Sequence, residues 1–132
     1  MDLGKRRIGL ALSDALGITA QGLETLQRTT IREDIAHLAN LAAERDVGLL
    51  LFGQPLHMSG DESRQSQYTR EFAERLQKAT GLPAMFWDER WTSVQAERVL
   101  KQSGISIEKR AKAVDRLAAV ILLESYLDSL DQ

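Results

Sequence analysis

The sequence predicts an α/β fold in which one sheet is covered by helices on both faces. Strand-like segments come first in the chain, and helical and strand patterns alternate after them. The segment Val47–Phe52 is apolar without alternation, which is typical of a strand buried on both faces. With 132 residues, no internal repeat and no Gly/Ser linker, residues 1–132 are expected to form one domain.

Two strands are predicted near the start of the chain. Large and small residues alternate over Ile8–Ser13, so the large residues share one face and leave room for close packing on the other. Ile18–Leu26 alternates more weakly and follows a turn over Asp14–Gly17. We therefore expect a pair of neighbouring strands here.

Apolar residues at helical spacing define the later elements. Thr30 and Glu33 have the spacing of a capping box, in which both side chains satisfy amide donors at a helix start. The predicted elements are a helix over Ile31–Arg45, the strand Val47–Phe52, a loop over Gly53–Gly60, a helix from Ser63 to Gly81, a strand over Pro83–Trp87, a helix over Val94–Lys101 and a helix over Lys109–Leu130.

The composition excludes several classes of protein. No cysteine is present, which excludes a disulfide framework and Cys-ligated metals. No apolar run approaches the ~20 residues of a membrane span, and no secretory leader is legible, so a cytoplasmic protein without membrane contact is expected. The 17 Lys plus Arg against 19 Asp plus Glu give a net charge of −2, a weak argument against nucleic acid as partner.

Polar motifs fall where an open α/β sheet places its ligands, beyond the carboxyl ends of strands. Asp2–Gly9 is an acid followed by a basic, glycine-containing turn, and Gly53–Gly60 and Trp87–Thr92 each follow a predicted strand. Asp115 adds an acid near the start of the last helix, where alanine neighbours allow close approach to the sheet. These segments are the candidate site.

Together these motifs resemble the YqgF family, also called RuvX, RNase H-like proteins that are related to Holliday-junction resolvases and assigned to processing of the 5′ end of pre-16S rRNA. The match consists of Asp-x-Gly-x-x-Arg-Ile-Gly at 2–9, Gly-x-Pro-Leu at 53–56, Asp-Glu-Arg-x-Thr at 88–92 and Asp-x-x-Ala-Ala at 115–119. The resemblance implies an RNase H-like three-layer α/β/α fold with a mixed five-stranded sheet. Only Met1 precedes Asp2, so the first strand is expected to be truncated, or residues before it are missing.

The resemblance also implies that Asp2, Glu89 and Asp115 are the catalytic residues and the metal ligands. Carboxylates from distant segments repel one another, and a hard divalent cation relieves that repulsion. Mg²⁺ is the expected metal, with Mn²⁺ as a substitute, whereas the number of ions stays open. Alternation along a strand allows only one of the neighbours Asp88 and Glu89 to face the site, and the resemblance favours Glu89.

Basic and small residues beside these acids are the candidate substrate contacts. The stretch from Arg98 to Arg116 holds six basic and two acidic residues, a local balance of +4 that favours nucleic acid despite the net charge. The expected substrate-binding residues are Lys5, Arg6, Arg7, Gly53, Pro55, Arg90, Thr92 and Lys112.

The sequence therefore predicts a metal-dependent endonuclease that hydrolyses phosphodiester bonds, with precursor rRNA as the first substrate and branched DNA as the second. Motif spacing does not separate this enzyme from a non-catalytic RNA-binding ribosome-assembly factor. An actin-like ATPase lobe shares the Asp-x-Gly turn but needs two lobes, and this chain has room for one. The oligomeric state stays open.

Overall fold

The chain begins with an antiparallel arrangement of short strands in the computed structural model, which describes residues 1–54, 61–88 and 107–130. Strand β1 (Asp2–Leu3) pairs with β2 (Arg7–Gly9), β2 pairs with β5 (Leu26–Gln27), and β3 (Ala11–Ser13) pairs with β4 (Ala20–Gly22). The Leu23 amide donates to the Leu10 carbonyl at 2.9 Å, so the two short pairs continue one ladder. Both predicted strands are present, and each is divided into two short strands: β2 and β3 form the first, and β4 and β5 form the second.

Met1 connects this antiparallel part to a parallel one. Strand β6 (Leu50–Gln54) runs parallel to β7 (Ala84–Asp88). The Met1 ammonium donates to the Leu51 carbonyl at 2.5 Å, and the Gly53 amide donates to the Met1 carbonyl at 3.1 Å. Bonds from one residue to two residues spaced two apart are the pattern of parallel pairing. In the described residues the strand order is therefore 20–27, 7–13, 1–3, 50–54 and 84–88, a mixed five-stranded sheet with a short central strand.

Three helices are described: α1 (Ile31–Glu44), α2 (Asp61–Thr80) and α3 (Ile107–Ser129). The predicted cap at Thr30 is confirmed, since its hydroxyl accepts from the Glu33 amide at 3.2 Å. The Glu33 carboxylate accepts from the Thr29 hydroxyl at 2.9 Å, so only half of the capping box forms as expected. Gly81 follows α2 with φ of 74°, the left-handed conformation that glycine adopts readily. The predicted helix Val94–Lys101 lies outside the described residues.

The main core lies between the sheet and the pair α1 and α2. Strand residues and helix residues interdigitate there, and the Phe52 and Phe72 rings meet edge to face at 6.4 Å. The opposite face of the sheet packs against α3, so the sheet lies between two helical layers as predicted. The buried core residues are Leu3, Ile8, Leu10, Leu38, Leu50, Phe52, Phe72, Ala73 and Leu76.

Strand β6 ends later than the sequence predicts. Gly53 and Gln54 belong to the strand, in register with Trp87 and Asp88 of β7, although the Gly-Gln-Pro sequence reads as a loop. Backbone pairing on both sides of β6, to Met1 and to β7, extends the strand through these residues. The rest of the predicted loop, 55–60, lies outside the described residues.

A cavity of about 660 Å³ lies in the sheet layer between β3 and β6. Leu12 and Leu50 line it from the two strands, Leu41 from α1 and Leu122 from α3. Met1 lies at the same cavity, next to the start of β1. The cavity thus lies beyond the start of β1, in line with this strand, and apolar side chains from both helical layers bound it.

Candidate active site

Strand pairing places Asp2 on the face of the sheet that α3 covers. Asp2 is directly opposite Gly9 in the β1 and β2 register, and opposed residues project to the same face. A Cβ added at Gly9 would lie 2.0 Å from the Asp115 carbonyl oxygen, so this face points at α3. The neighbouring pair, Leu3 and Ile8, is buried on the other face against α1 and α2. Asp2 and the Asp115 backbone therefore lie on the same face of the sheet, both next to Gly9.

The absence of a side chain at Gly9 makes this approach possible. The Asp115 backbone occupies the space that a Cβ would take, and its carbonyl carbon would lie only 2.6 Å away. Ala118 and Ala119 on the same helix are each 1% exposed and keep the helix close to the sheet. The glycine and alanine pattern of the sequence predicted such packing, but the partner of Gly9 becomes visible only in the fold.

Arg7 also lies on this face, because it precedes Gly9 by two residues in β2. Its Nε donates to Asp115 Oδ2 at 2.6 Å, and the two side chains are 29% and 24% exposed. The sequence predicts a phosphate contact at this position. In the described structure the side chain instead pairs with a candidate metal ligand.

Side chains at the end of β7 project alternately to the two faces of the sheet. Trp87 Nε1 donates to Ser125 Oγ at 3.0 Å, and its ring meets Tyr126 at 5.4 Å, so Trp87 faces α3. Phe86 faces the other layer and lies 6.0 Å from the Phe52 ring. Alternation then puts Asp88 on the face of Phe86, away from α3. This agrees with the expectation that Asp88 is not the acid beside Asp2; Glu89 itself lies outside the described residues.

The basic turn between β1 and β2 exposes two cations. The Gly4 amide donates to the Arg7 carbonyl at 3.0 Å and closes the turn, and both Lys5 and Arg6 are exposed at its tip. They lie in the turn between β1, which carries Asp2, and β2. The fold thus leaves these two predicted phosphate contacts accessible.

A buried ion pair that sequence reasoning missed supports this turn. Arg28 donates to Asp34 Oδ2 at 3.0 Å, to the Gly4 carbonyl at 3.0 Å and to the Tyr68 hydroxyl at 2.6 Å. The Arg28 and Asp34 side chains are only 8% and 2% exposed. Burial alone would lower the pKa of Arg28, but hydrogen bonds to Tyr68 and Asp34 raise it above its ordinary value, so the guanidinium stays charged.

Part of the predicted site falls outside what the structure describes. Gly53 is placed in β6 beside Met1, whereas Pro55, Glu89, Arg90 and Thr92 lie outside the described residues, as does the side chain of Lys112. Across residues 1–54, 61–88 and 107–130, no three potential metal ligands form a cluster. The described part of the site therefore consists of Asp2, Asp115 and the cations around them.

Comparisons with known proteins show the family to which the chain is related. The family model for RuvX, described as a Holliday junction resolvase, matches residues 1–129. A protein of Koribacter versatilis is 50% identical over 128 residues, which cover 97% of this chain and 84% of the relative. The chain belongs to the RuvX family. That relative carries the name "putative pre-16S rRNA nuclease", as does one of Syntrophus aciditrophicus that is 44% identical over all of this chain and 88% of its own length.

A solved structure shows the fold of this RuvX-family chain. RuvC of T. thermophilus, determined in complex with a Holliday junction substrate, superposes with a TM-score of 0.57 and covers 98% of this chain and 92% of its own. At 13% identity this likeness concerns the fold alone. The predicted RNase H-like α/β/α fold is confirmed.

The described residues fit a divalent cation. Both acids offer carboxylate oxygens, the ligands that Mg²⁺ and Mn²⁺ prefer. Asp2 and Asp115 lie on the same face of the sheet beside Gly9, which contributes no side chain there. A third acid close to this pair would complete a set of hard oxygen ligands.

Among residues 1–54, 61–88 and 107–130, no helix combines the length and the apolar character that crossing a bilayer requires.

Proposed function

We propose that this protein is a metal-dependent endonuclease that hydrolyses phosphodiester bonds in the precursor of 16S rRNA. The observation that carries the proposal is the convergence of Asp2 and Asp115 on one face of the sheet at Gly9. Membership of the RuvX family and the names of the two relatives support the choice of substrate. The cytoplasm is the proposed location.

In this proposal Asp2, Glu89 and Asp115 hold Mg²⁺, with Mn²⁺ as a substitute. The bound ion would activate water and stabilise the leaving oxygen. The chain itself fixes the two described acids against each other, because β1 and α3 are both packed at Gly9. A rigid pair of carboxylates lowers the cost of ordering the ligands when the ion binds.

The remaining predicted residues are proposed to hold the RNA. Lys5 and Arg6 project from the turn after β1, so a phosphate close to the acids could contact either one. Sequence position supports the same role for Arg90, Thr92 and Lys112, which lie within three positions of Glu89 or Asp115. Gly53 and Pro55 are given this role because they belong to the Gly-x-Pro-Leu motif at 53–56.

The test measures cleavage of an RNA that carries the 5′ precursor segment of 16S rRNA, in separate reactions with Mg²⁺, with Mn²⁺ and with a chelator. We expect metal-dependent cutting that is lost in Asp2→Asn, Glu89→Gln and Asp115→Asn. Asp128→Asn is the matched control, since Asp128 is an exposed acid near the other end of α3, and it should cut at the wild-type rate. Cutting that persists in chelator, or in Asp115→Asn, would contradict the proposal.

A four-way DNA junction is the second candidate substrate, because the RuvX model is described as a Holliday junction resolvase and RuvC has the same fold. The same assay with a labelled junction decides between the two. Faster cutting of the junction than of the precursor RNA would favour the resolvase. RNA binding without cutting under any metal would favour a ribosome-assembly factor.

A further inference from the structure

The Arg7 side chain is held in place at both of its ends. Arg7 lies in β2, paired with Gln27 of β5, and its carbonyl accepts from the Gly4 amide. Its carboxylate partner is on a helix whose backbone is packed against Gly9, two residues further along the same strand. Neither backbone can shift without disturbing the sheet, so the ion pair fixes the direction of the Asp115 carboxylate.

The geometry of the pair leaves part of this carboxylate available. The bond runs from Nε to Oδ2, so Oδ1 stays outside it. A carboxylate that accepts a hydrogen bond on one oxygen can bind a metal ion through the other, and such supporting donors orient ligands in many metal sites. Exposure of 29% for Arg7 and 24% for Asp115 keeps the pair open to an incoming ion.

Arg7 therefore differs from its neighbours in the basic turn. Lys5 and Arg6 are exposed at the tip, whereas Arg7 points along the α3 face toward Asp115. A guanidinium already paired with a carboxylate has lost part of its capacity to bind a phosphate. The sequence predicts the same role, phosphate contact, for Lys5, Arg6 and Arg7, whereas the structure pairs Arg7 with Asp115.

We propose that Arg7 is a positioning residue that holds the Asp115 carboxylate toward Asp2 for a divalent cation. This inference rests on the proposed function, because it assumes that Asp115 is a metal ligand. It assigns Arg7 to metal binding instead of phosphate binding, and it predicts that loss of Arg7 weakens the metal even when no RNA is present.

The experiment is a calorimetric titration of the full chain with Mn²⁺ in the absence of RNA. Loss of a supporting donor changes metal affinity by about 10–100-fold, so Arg7→Met should raise Kd by that factor. Arg7→Lys, which keeps the charge, should recover part of the loss. Arg70→Met is the matched control, since Arg70 is an exposed arginine on α2, and its Kd should equal that of the wild type. An unchanged or tighter Mn²⁺ Kd in Arg7→Met would overturn the inference.

A metal-free measurement separates this inference from the proposed function. Arg7→Met, Asp115→Asn and the double variant are compared by thermal unfolding, and the fall in Tm of the double variant should be smaller than the sum of the single falls. Additive falls would overturn the ion pair and the inference with it. Wild-type protein that binds no Mn²⁺ would overturn both proposals, whereas wild-type binding with unaffected Arg7→Met overturns only this one.

Discussion

Replacing Gly9 by alanine would place a methyl group 2.0 Å from the Asp115 carbonyl oxygen. Real Cβ atoms essentially never approach a neighbour closer than 3.0 Å, so α3 must retreat by at least the difference, 1.0 Å. The clashing atoms are backbone, which a rotamer change cannot relieve. Overpacking of this kind costs typically 1–3 kcal/mol, and we expect about 3 kcal/mol here because both elements are tightly packed.

The chain supplies a graded series of controls for this substitution. A Cβ at Gly48 would meet nothing within 4 Å, so Gly48→Ala should be neutral or should stabilise by about 0.4–1 kcal/mol. A Cβ at Gly22 would meet the Arg116 side chain at 2.7 Å, which can move at the cost of its hydrogen bond to the Leu23 carbonyl. Gly22→Ala should therefore cost about 1–2 kcal/mol, between the other two.

Urea unfolding of the three variants measures the series. Gly9→Ala should also weaken Mn²⁺ binding, because the retreat of α3 carries Asp115 away from Asp2. A free energy of unfolding for Gly9→Ala equal to that of Gly48→Ala would show that α3 does not pack on Gly9, and would contradict the placement of Asp115 beside Asp2.

Three further predictions concern the turn, the RNA contacts and the cavity. Arg28→Met leaves the Asp34 carboxylate buried without its cation and should lower the free energy of unfolding in urea by about 3–5 kcal/mol. The double variant Arg28→Met/Asp34→Asn should lose less than the sum of the losses in the two single variants, and additive losses would contradict the coupling. Lys5→Met and Arg6→Met should each lower the slope of log Kd for RNA against log salt by about 0.7, and unchanged slopes would exclude phosphate contacts. Four alternating apolar and β-branched residues fused ahead of Met1 should raise Tm, because each side chain buried in the cavity contributes about 1.5–3 kcal/mol, whereas four Gly/Ser residues should not.

Much of the fold could be predicted because its elements carry local signals. Alternation in Ile8–Ser13 identifies a strand whose large residues point to the core, and the Thr30 hydroxyl begins α1 where the sequence places it. The end of β6 could not be predicted, because the pairing of Gly53 with Met1 involves residues far apart in the sequence. Local composition indicates a loop there, and tertiary pairing overrides it.

The candidate site, too, could be predicted from the sequence only in part. The family motifs single out Asp2 and Asp115, and register with Gly9 explains in physical terms why they meet. Sequence reasoning could not reveal that Arg7 pairs with Asp115, since a run of three basic residues gives no indication of which one turns inward. Arg28 was missed for a related reason: its partners come from a turn and two helices that meet only in the folded chain.

The packing of β2 against α3, a helix far along the sequence, has a consequence for biosynthesis. Arg7 and Asp115 are separated by 108 positions in the sequence. Domains fold as their residues leave the ribosome, from the N-terminus onward, so the first hairpin emerges long before α3 can dock on it. The two acids therefore cannot meet before the segment that contains Asp115 has been synthesised. An N-terminal fragment that stops short of α3 carries Asp2 without the second described acid of the site.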